Sequence, residues 1–219
     1  MCNQTNETKI GSDNGKFQVD LDVMHMYPHV HTIYCPQKAA REKQHKIDRV
    51  RLKQAESESE LTNCIKHAVG CIITDKHGRI VSTGRNGTPE GIENCSERFS
   101  SKRMRIERLK FNIKHSIGSV NATQRAELEK IYLEHHEWSA ANEIHAEINA
   151  IIHSSPEKRA GGTLYVNLQP CPVCAKVIAN SGVSRVVFGK MYERSDSAAT
   201  QAMFDAKNIE YIFIPNLLD

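Results

Sequence analysis

From residue 143 to residue 214 the apolar positions change period in regular blocks. Glu143 to His153 shows helical spacing, Thr163 to Leu168 an apolar β-type run, and Pro172 to Ser181 helical spacing again. Val183 to Phe188 then reads as a strand, Ala198 to Lys207 as a helix and Ile209 to Ile214 as a strand. Upstream, Ala68 to Thr74 and Arg79 to Ser82 are β-branched runs around Asp75-Lys76-His77-Gly78, a turn whose glycine suits a positive backbone angle. Strands alternating with helices of this length predict an α/β fold. Its sheet is mostly parallel, covered on both faces and opened by one antiparallel hairpin.

The remaining segments frame that core. Ile47, Val50 and Leu52 among charged residues predict a helix over about 46–60, with a thin apolar face. Gly84-Arg85-Asn86-Gly87-Thr88-Pro89-Glu90-Gly91 has the composition of a loop. Two charged segments, about 96–115 and 122–138, read as helices separated by Ser116 to Asn121. Residues 1–45 lack a periodic apolar pattern and read as a mobile or loosely docked extension. The expected organisation is therefore an extension over 1–45 and one domain over 46–219, with a helical insertion at about 96–140.

Composition narrows the class. With 219 residues, 39% hydrophobic and 25% charged, the chain is long enough to bury a core without disulfides. No apolar stretch reaches membrane-span length, and Met1 to Asp20 lacks a signal-peptide core, which places the protein in a reducing cytoplasm with no membrane partner. Seven cysteines are an odd number for a disulfide framework, so their spacing is read as chemistry. A net charge of +3 is too small to imply nucleic acid. The basic run Arg98, Lys102, Arg103, Arg105, Arg108, Lys110 and Lys114 suits a phosphate grip or a solvated helix face, and the second reading is preferred.

The sharpest signal is His145-Ala146-Glu147 followed, 26 positions after the histidine, by Pro170-Cys171-Pro172-Val173-Cys174. This is the His-x-Glu and Pro-Cys-x-x-Cys signature of zinc deaminases. Cys171 and Cys174 stand at a predicted helix start, with Pro172 suited to the first turn, where the helix N-terminus favours thiolates. His145 adds a third ligand from a second helix and leaves one tetrahedral position for water. Glu147 is the expected proton carrier, not itself a ligand. The bland alternative is a closed zinc knuckle with Glu147 an incidental charge.

Three stretches resemble the cytidine deaminase superfamily and, more closely, the bacteriophage-type deoxycytidylate deaminases: residues 84–91, Asn142 to Ile151, and Tyr165 to Lys176. The resemblance runs from about residue 60 to the C-terminus. It implies a three-layer α/β/α sandwich with a five-stranded mixed sheet and hydrolysis of dCMP to dUMP and ammonia, supplying thymidylate synthesis. It also implies a homo-oligomer, hexameric by preference, with dCTP as activator, dTTP as inhibitor and Mg2+ accompanying the triphosphate. A second, structural zinc follows from the same resemblance, with Cys64, Cys95, His135 and Glu143 as ligands. That makes two zinc ions per subunit. His136 rivals His135, and Cys64 and Cys95 have an alternative as small buried residues. Asn86 resembles the family asparagine that contacts the nucleotide sugar, and Gly84 and Gly87 admit close backbone approach. Arg85 stands where the family usually has an aromatic residue, and a guanidinium there suits phosphate.

Smaller readings complete the survey. His25, His29, His31 and Cys35 form a candidate metal set in the extension, with an ordinary tail the preferred reading. Cys71 is expected in the core, facing the same way as Val69 and Ile73, and Trp138 is expected to anchor packing under the insertion. Two competitors to dCMP remain: a base in tRNA or single-stranded DNA, and a non-catalytic zinc module. The first is disfavoured by an aromatic content of 6%, the second by Glu147.

Overall fold

Helix α1 spans Pro36–Ser59, and its length is the first departure from the sequence expectation. In the computed structural model, which describes residues 36–115, 119–192 and 197–215, the chain divides into two units at residue 46. The described part of the first unit is the opening of α1, residues 36–46. No apolar periodicity marks that opening. Its residues are instead strong helix formers, with Pro36 at the first position, where its missing N–H costs nothing. The candidate metal set in the extension lies outside the described residues.

The second unit holds one five-stranded sheet in the order β2-β1-β3-β4-β5, built from Gly70–Thr74, Ile80–Arg85, Thr163–Leu168, Arg185–Lys190 and Glu210–Phe213 for β1 to β5. β1 pairs antiparallel with both β2 and β3, while β3–β4 and β4–β5 are parallel. The hairpin turn places Gly78 at φ 80, a conformation that a Cβ would strain. Asp75 closes the turn by accepting from the backbone N–H groups of His77 and Arg79.

Alternation along the strands sorts the core into two faces. Cys71, Ile73, Leu164, Val166, Val186 and Phe188 point into one cluster with α5 (Ala146–Ile152), α7 (Pro172–Ala179) and α8 (Ser197–Ala206). Ile72, Tyr165 and Val187 point into the other, against Leu52 and Ala55 of α1. Each fully buried Leu, Ile or Val stabilises the fold by roughly 1.5–3 kcal/mol. A buried ionic lock adds register: Arg185 donates to both oxygens of Asp48, at 3.1 and 3.0 Å, and Tyr165 donates to Asp48 Oδ1 at 3.0 Å.

The insertion consists of α2 (Cys95–Arg98), α3 (Ser100–His115) and α4 (Ser119–Asn142). Ile106, Leu109 and Ile131 form its own small core. The basic face of α3 is solvated and paired, with Lys102 on Glu134 and Arg105 on Glu127. A further short helix, α6 (Pro156–Arg159), carries no apolar periodicity in the sequence. Among the described residues, no helix is long and apolar enough to cross a membrane.

Candidate active site and metal centre

The N-terminal end of β1 and the C-terminal ends of β2, β3 and β4 share one edge of the sheet, since Gly70 pairs with Arg85, Cys71 with Val166, and Leu168 with Lys190. Chains leaving strands at this edge carry the chemistry. After β3, Cys171 is the N-cap of α7 with Pro172 in the first turn, as the sequence predicts. His145 differs from expectation. α4 ends at Asn142, Ile144 forms an isolated bridge with Gly87, and His145 is the N-cap of α5 at φ −70 and ψ 152 rather than a helical residue. Glu147 occupies the first turn of α5 and is 4% exposed.

His145 Nδ1 lies 3.2 Å from Cys174 Sγ and 3.5 Å from Cys171 Sγ. Zinc–nitrogen and zinc–sulfur bonds at tetrahedral angles set such donors about 3.6 Å apart, so this trio fits the metal. The Cys171 thiol is lowered to about 4, first by a hydrogen bond from Cys174 and then by His145. Cys174 is raised, because it supplies that proton and is buried. His145 is raised to about 8, chiefly by Cys171. Burial raises the Glu147 carboxyl, which also shares a hydrogen bond with Cys174. A buried carboxyl shifted upward beside these donors is a candidate to accept and return a proton.

A second cluster brings together Cys64, Cys95, His135 and Glu143, whose donor atoms all lie within 4.8 Å of one another. His135 Nε2 is 3.5 Å from Cys64 Sγ, whereas His136 is exposed and outside the cluster. Glu143 Oε1 is buried and has no hydrogen-bond partner among the described residues, an arrangement that a cation would satisfy. Burial, then the charge of Cys64, raises Glu143 to about 7. Cys64 is lowered to about 3, first by a hydrogen bond from Cys95. Phe99 buttresses the cluster, its ring 5.4 Å from His135 and 5.7 Å from Trp138, so the tryptophan serves packing. Two thiols, an imidazole and a carboxylate at this spacing could hold a metal ion.

The glycine-rich stretch is placed differently from a simple loop. Gly84 and Arg85 belong to β2, and a Cβ on Gly84 would sit 2.3 Å from the Ala146 carbonyl oxygen and 2.5 Å from Ala150 N. Its bareness therefore lets α5 press against the sheet, a packing demand the sequence does not reveal. Arg85 pairs with Glu58 at 3.2 Å, and its carbonyl accepts from Asn149 Nδ2. Gly87 forms a backbone bridge to Ile144, and Asn86 turns its amide inward. Thr62 and Asn167 were given no role from sequence. Thr62 bonds Asn86, while Asn167 accepts from Gly70 N–H and donates to the Ala68 carbonyl and Glu56. Their signal was weak because a polar residue beside a strand end is ordinary in a loop-rich edge. Beside them, the rings of His67 and Tyr192 meet edge to face at 5.5 Å.

The profile described as "Cytidine and deoxycytidylate deaminase zinc-binding region" matches residues 42–190, which include both clusters. The chain belongs to this deaminase family. Deoxycytidylate deaminase of Enterobacteria phage T4 is 39% identical over 144 residues, covering 63% of this chain and 74% of that protein. Its counterpart from Enterobacteria phage T2 is 36% identical over 166 residues, covering 73% of this chain and 87% of that protein. Among solved structures, the dCMP deaminase of cyanophage S-TIM5 in complex with dCMP and dUMP aligns with TM-score 0.52 and 26% identity. That alignment covers 77% of this chain and 97% of the cyanophage chain. The deaminase family is thus a zinc-binding one, and the three-layer sandwich with a five-stranded mixed sheet is its fold.

Proposed function

We propose that this deaminase hydrolyses dCMP to dUMP and ammonia, with His145, Cys171 and Cys174 as ligands of a catalytic zinc and Glu147 as the proton carrier. The observation that carries the reading is the buried Glu147 carboxyl, hydrogen-bonded to Cys174 beside three converged donors, in a chain whose phage relatives are named deoxycytidylate deaminases. Zinc bound there supplies Lewis acidity that makes water a nucleophile at neutral pH. Glu147 would accept one proton of the attacking water and pass it to N3 of the pyrimidine as oxygen adds to C4, then take the remaining proton from the C4 hydroxyl and deliver it to the amino group as the C4–N bond breaks and the C4 carbonyl forms. The product is the uracil nucleotide, and ammonia leaves.

On the same reading Cys64, Cys95, His135 and Glu143 hold a second, structural zinc, giving two per subunit. Residues 1–45 form an appendage to a catalytic unit that supplies dUMP for thymidylate synthesis in the cytoplasm. Likeness to the family extends the proposal to activation by dCTP with Mg2+, inhibition by dTTP and a hexameric homo-oligomer. The test is loss of amino-pyrimidine ultraviolet absorbance with dCMP, deoxycytidine, dCTP or a cytosine oligonucleotide, with and without added dCTP or dTTP. Turnover of dCMP alone supports the assignment; turnover of the oligonucleotide alone overturns it.

A further inference from the structure

Arg159 closes the short helix α6 just before Thr163 opens β3, and β3 reaches the edge that carries the chemistry only at its other end, Leu168. From that opposite edge its guanidinium reaches the C-terminal ends of two helices. Nε donates to the Ser181 carbonyl at 2.8 Å, two positions past the end of α7 at Ala179. Nη1 donates one proton to the Ser154 carbonyl at 2.6 Å, two positions past the end of α5 at Ile152. Its other proton lies between the Ile151 carbonyl and the Ser154 hydroxyl oxygen, each at 3.3 Å. Ser154 and Ser181 are both buried, so the fork is largely shielded from water. A cation at two helix C-termini is also favoured by their dipoles.

The same two helices begin at the catalytic donors. His145 caps α5 with Glu147 in its first turn, and Cys171 caps α7 with Cys174 in its first turn. With seven and eight residues, each helix is a rod roughly 10–12 Å long, so a slip at one end is delivered to the other. We infer that Arg159 is a positioning residue that fixes the axial offset of α5 against α7, and through it the spacing of His145 and Glu147 from Cys171 and Cys174. The inference rests on the catalytic-zinc reading above. Arg159 acts through the helices and touches none of the four side chains. A planar fork can hold two carbonyl groups in one fixed geometry; the ammonium of a lysine keeps the charge but not that geometry. A misplacement of about 1 Å transmitted from a distance can cost about 10²-fold in rate.

The experiment is a Co2+ titration of the metal-stripped full-length chain for the unsubstituted protein, Arg159→Ala and Arg159→Lys, read by the visible absorption of cobalt, whose energy and intensity report ligand geometry. The pair Cys171→Ser/Cys174→Ser identifies the binding step that belongs to the catalytic cluster. Kinetics with dCMP at saturating zinc accompany the titration. Arg159→Ala is expected to weaken the catalytic step by about tenfold, to alter its cobalt spectrum, and to lower kcat by about tenfold or more while KM holds within about twofold. Any other cobalt step in the same chain should be unchanged. A lower thermal midpoint with the catalytic step, its spectrum and kcat all unaltered makes Arg159 a stabilising cap alone and overturns the inference, as does an equal weakening of every cobalt step. If Arg159→Ala does not fold, Arg159→Lys decides: a weakened catalytic step supports the positioning role, and an unchanged one overturns it. Absence of a cobalt step that depends on Cys171 and Cys174 in the unsubstituted chain would end the catalytic-zinc reading and this inference with it, whereas such a step left unaltered in the variants would end this inference alone.

Discussion

Glu143 and His145 are two positions apart on the segment between α4 and α5, yet they face different ligand clusters. Ile144 between them is tied to Gly87, so neither side chain moves without disturbing a backbone pair that the other shares. The stretch connects the end of α4 to the start of α5, and with them the helical insertion to the catalytic helix.

This shared segment makes the second site matter to the first. Glu143→Ala is expected to lower metal content from about two to about one per chain and to cut turnover by about tenfold or more. Metal analysis and the dCMP assay check it together. Full turnover with one metal bound would show that the clusters are independent.

Glu147→Gln keeps the size and most hydrogen bonds of the side chain but removes its capacity to move a proton. Turnover should fall by about 10²- to 10⁴-fold with zinc content unchanged. Loss of metal in this variant would instead make Glu147 part of the metal's support.

Gly84→Ala drives a methyl into α5, whose Ala146 carbonyl lies 2.3 Å from the new atom. Overpacking of this kind typically costs about 1–3 kcal/mol. Because the displaced helix carries Glu147, thermal midpoint and turnover should fall together, and a loss of stability without loss of turnover would place the strain elsewhere.

Asp48→Ala removes the carboxylate that receives both Arg185 and Tyr165, leaving a mostly buried guanidinium with Glu210 as its ion-pair partner among the described residues. Urea unfolding should show a loss of about 3 kcal/mol. Metal content should be unchanged, since the lock lies on the opposite face of the sheet from α5 and α7.

Alkaline pH tests the same lock through Tyr165. Burial first, then the Asp48 carboxylate, raises its phenol from 10.0 to about 12. The folded chain keeps this proton where the unfolded chain releases it, so the stabilisation is complete below about pH 10 and is lost as pH climbs toward 12. Tyr165→Phe should be about 1 kcal/mol less stable at pH 7 and should lose stability less steeply between pH 10 and 12. Urea titrations across that range measure both effects, and an unchanged slope would mean that the phenol ionises alike in both states.

The sequence alone determined what depends on local chemistry and on period. The hairpin around Gly78 and strand β3 follow from short-range preference, and the Cys171 N-cap with Pro172 from helix-start rules. Gathering Cys64, Cys95, His135 and Glu143 required residues scattered over some eighty positions to meet, which resemblance anticipated and spacing did not. Tertiary structure alone put His135 rather than its chemically identical neighbour His136 into the cluster, burying it against Phe99. It also decided that His145 caps a helix rather than lying in one, since pairing of Ile144 with Gly87 overrides the helical pattern of 143–153. In the same way it placed Gly84 in a strand and turned the Asn86 amide inward. Each of these depends on what the far side of the molecule offers, and a one-dimensional pattern carries only the preferences of residues for their near neighbours.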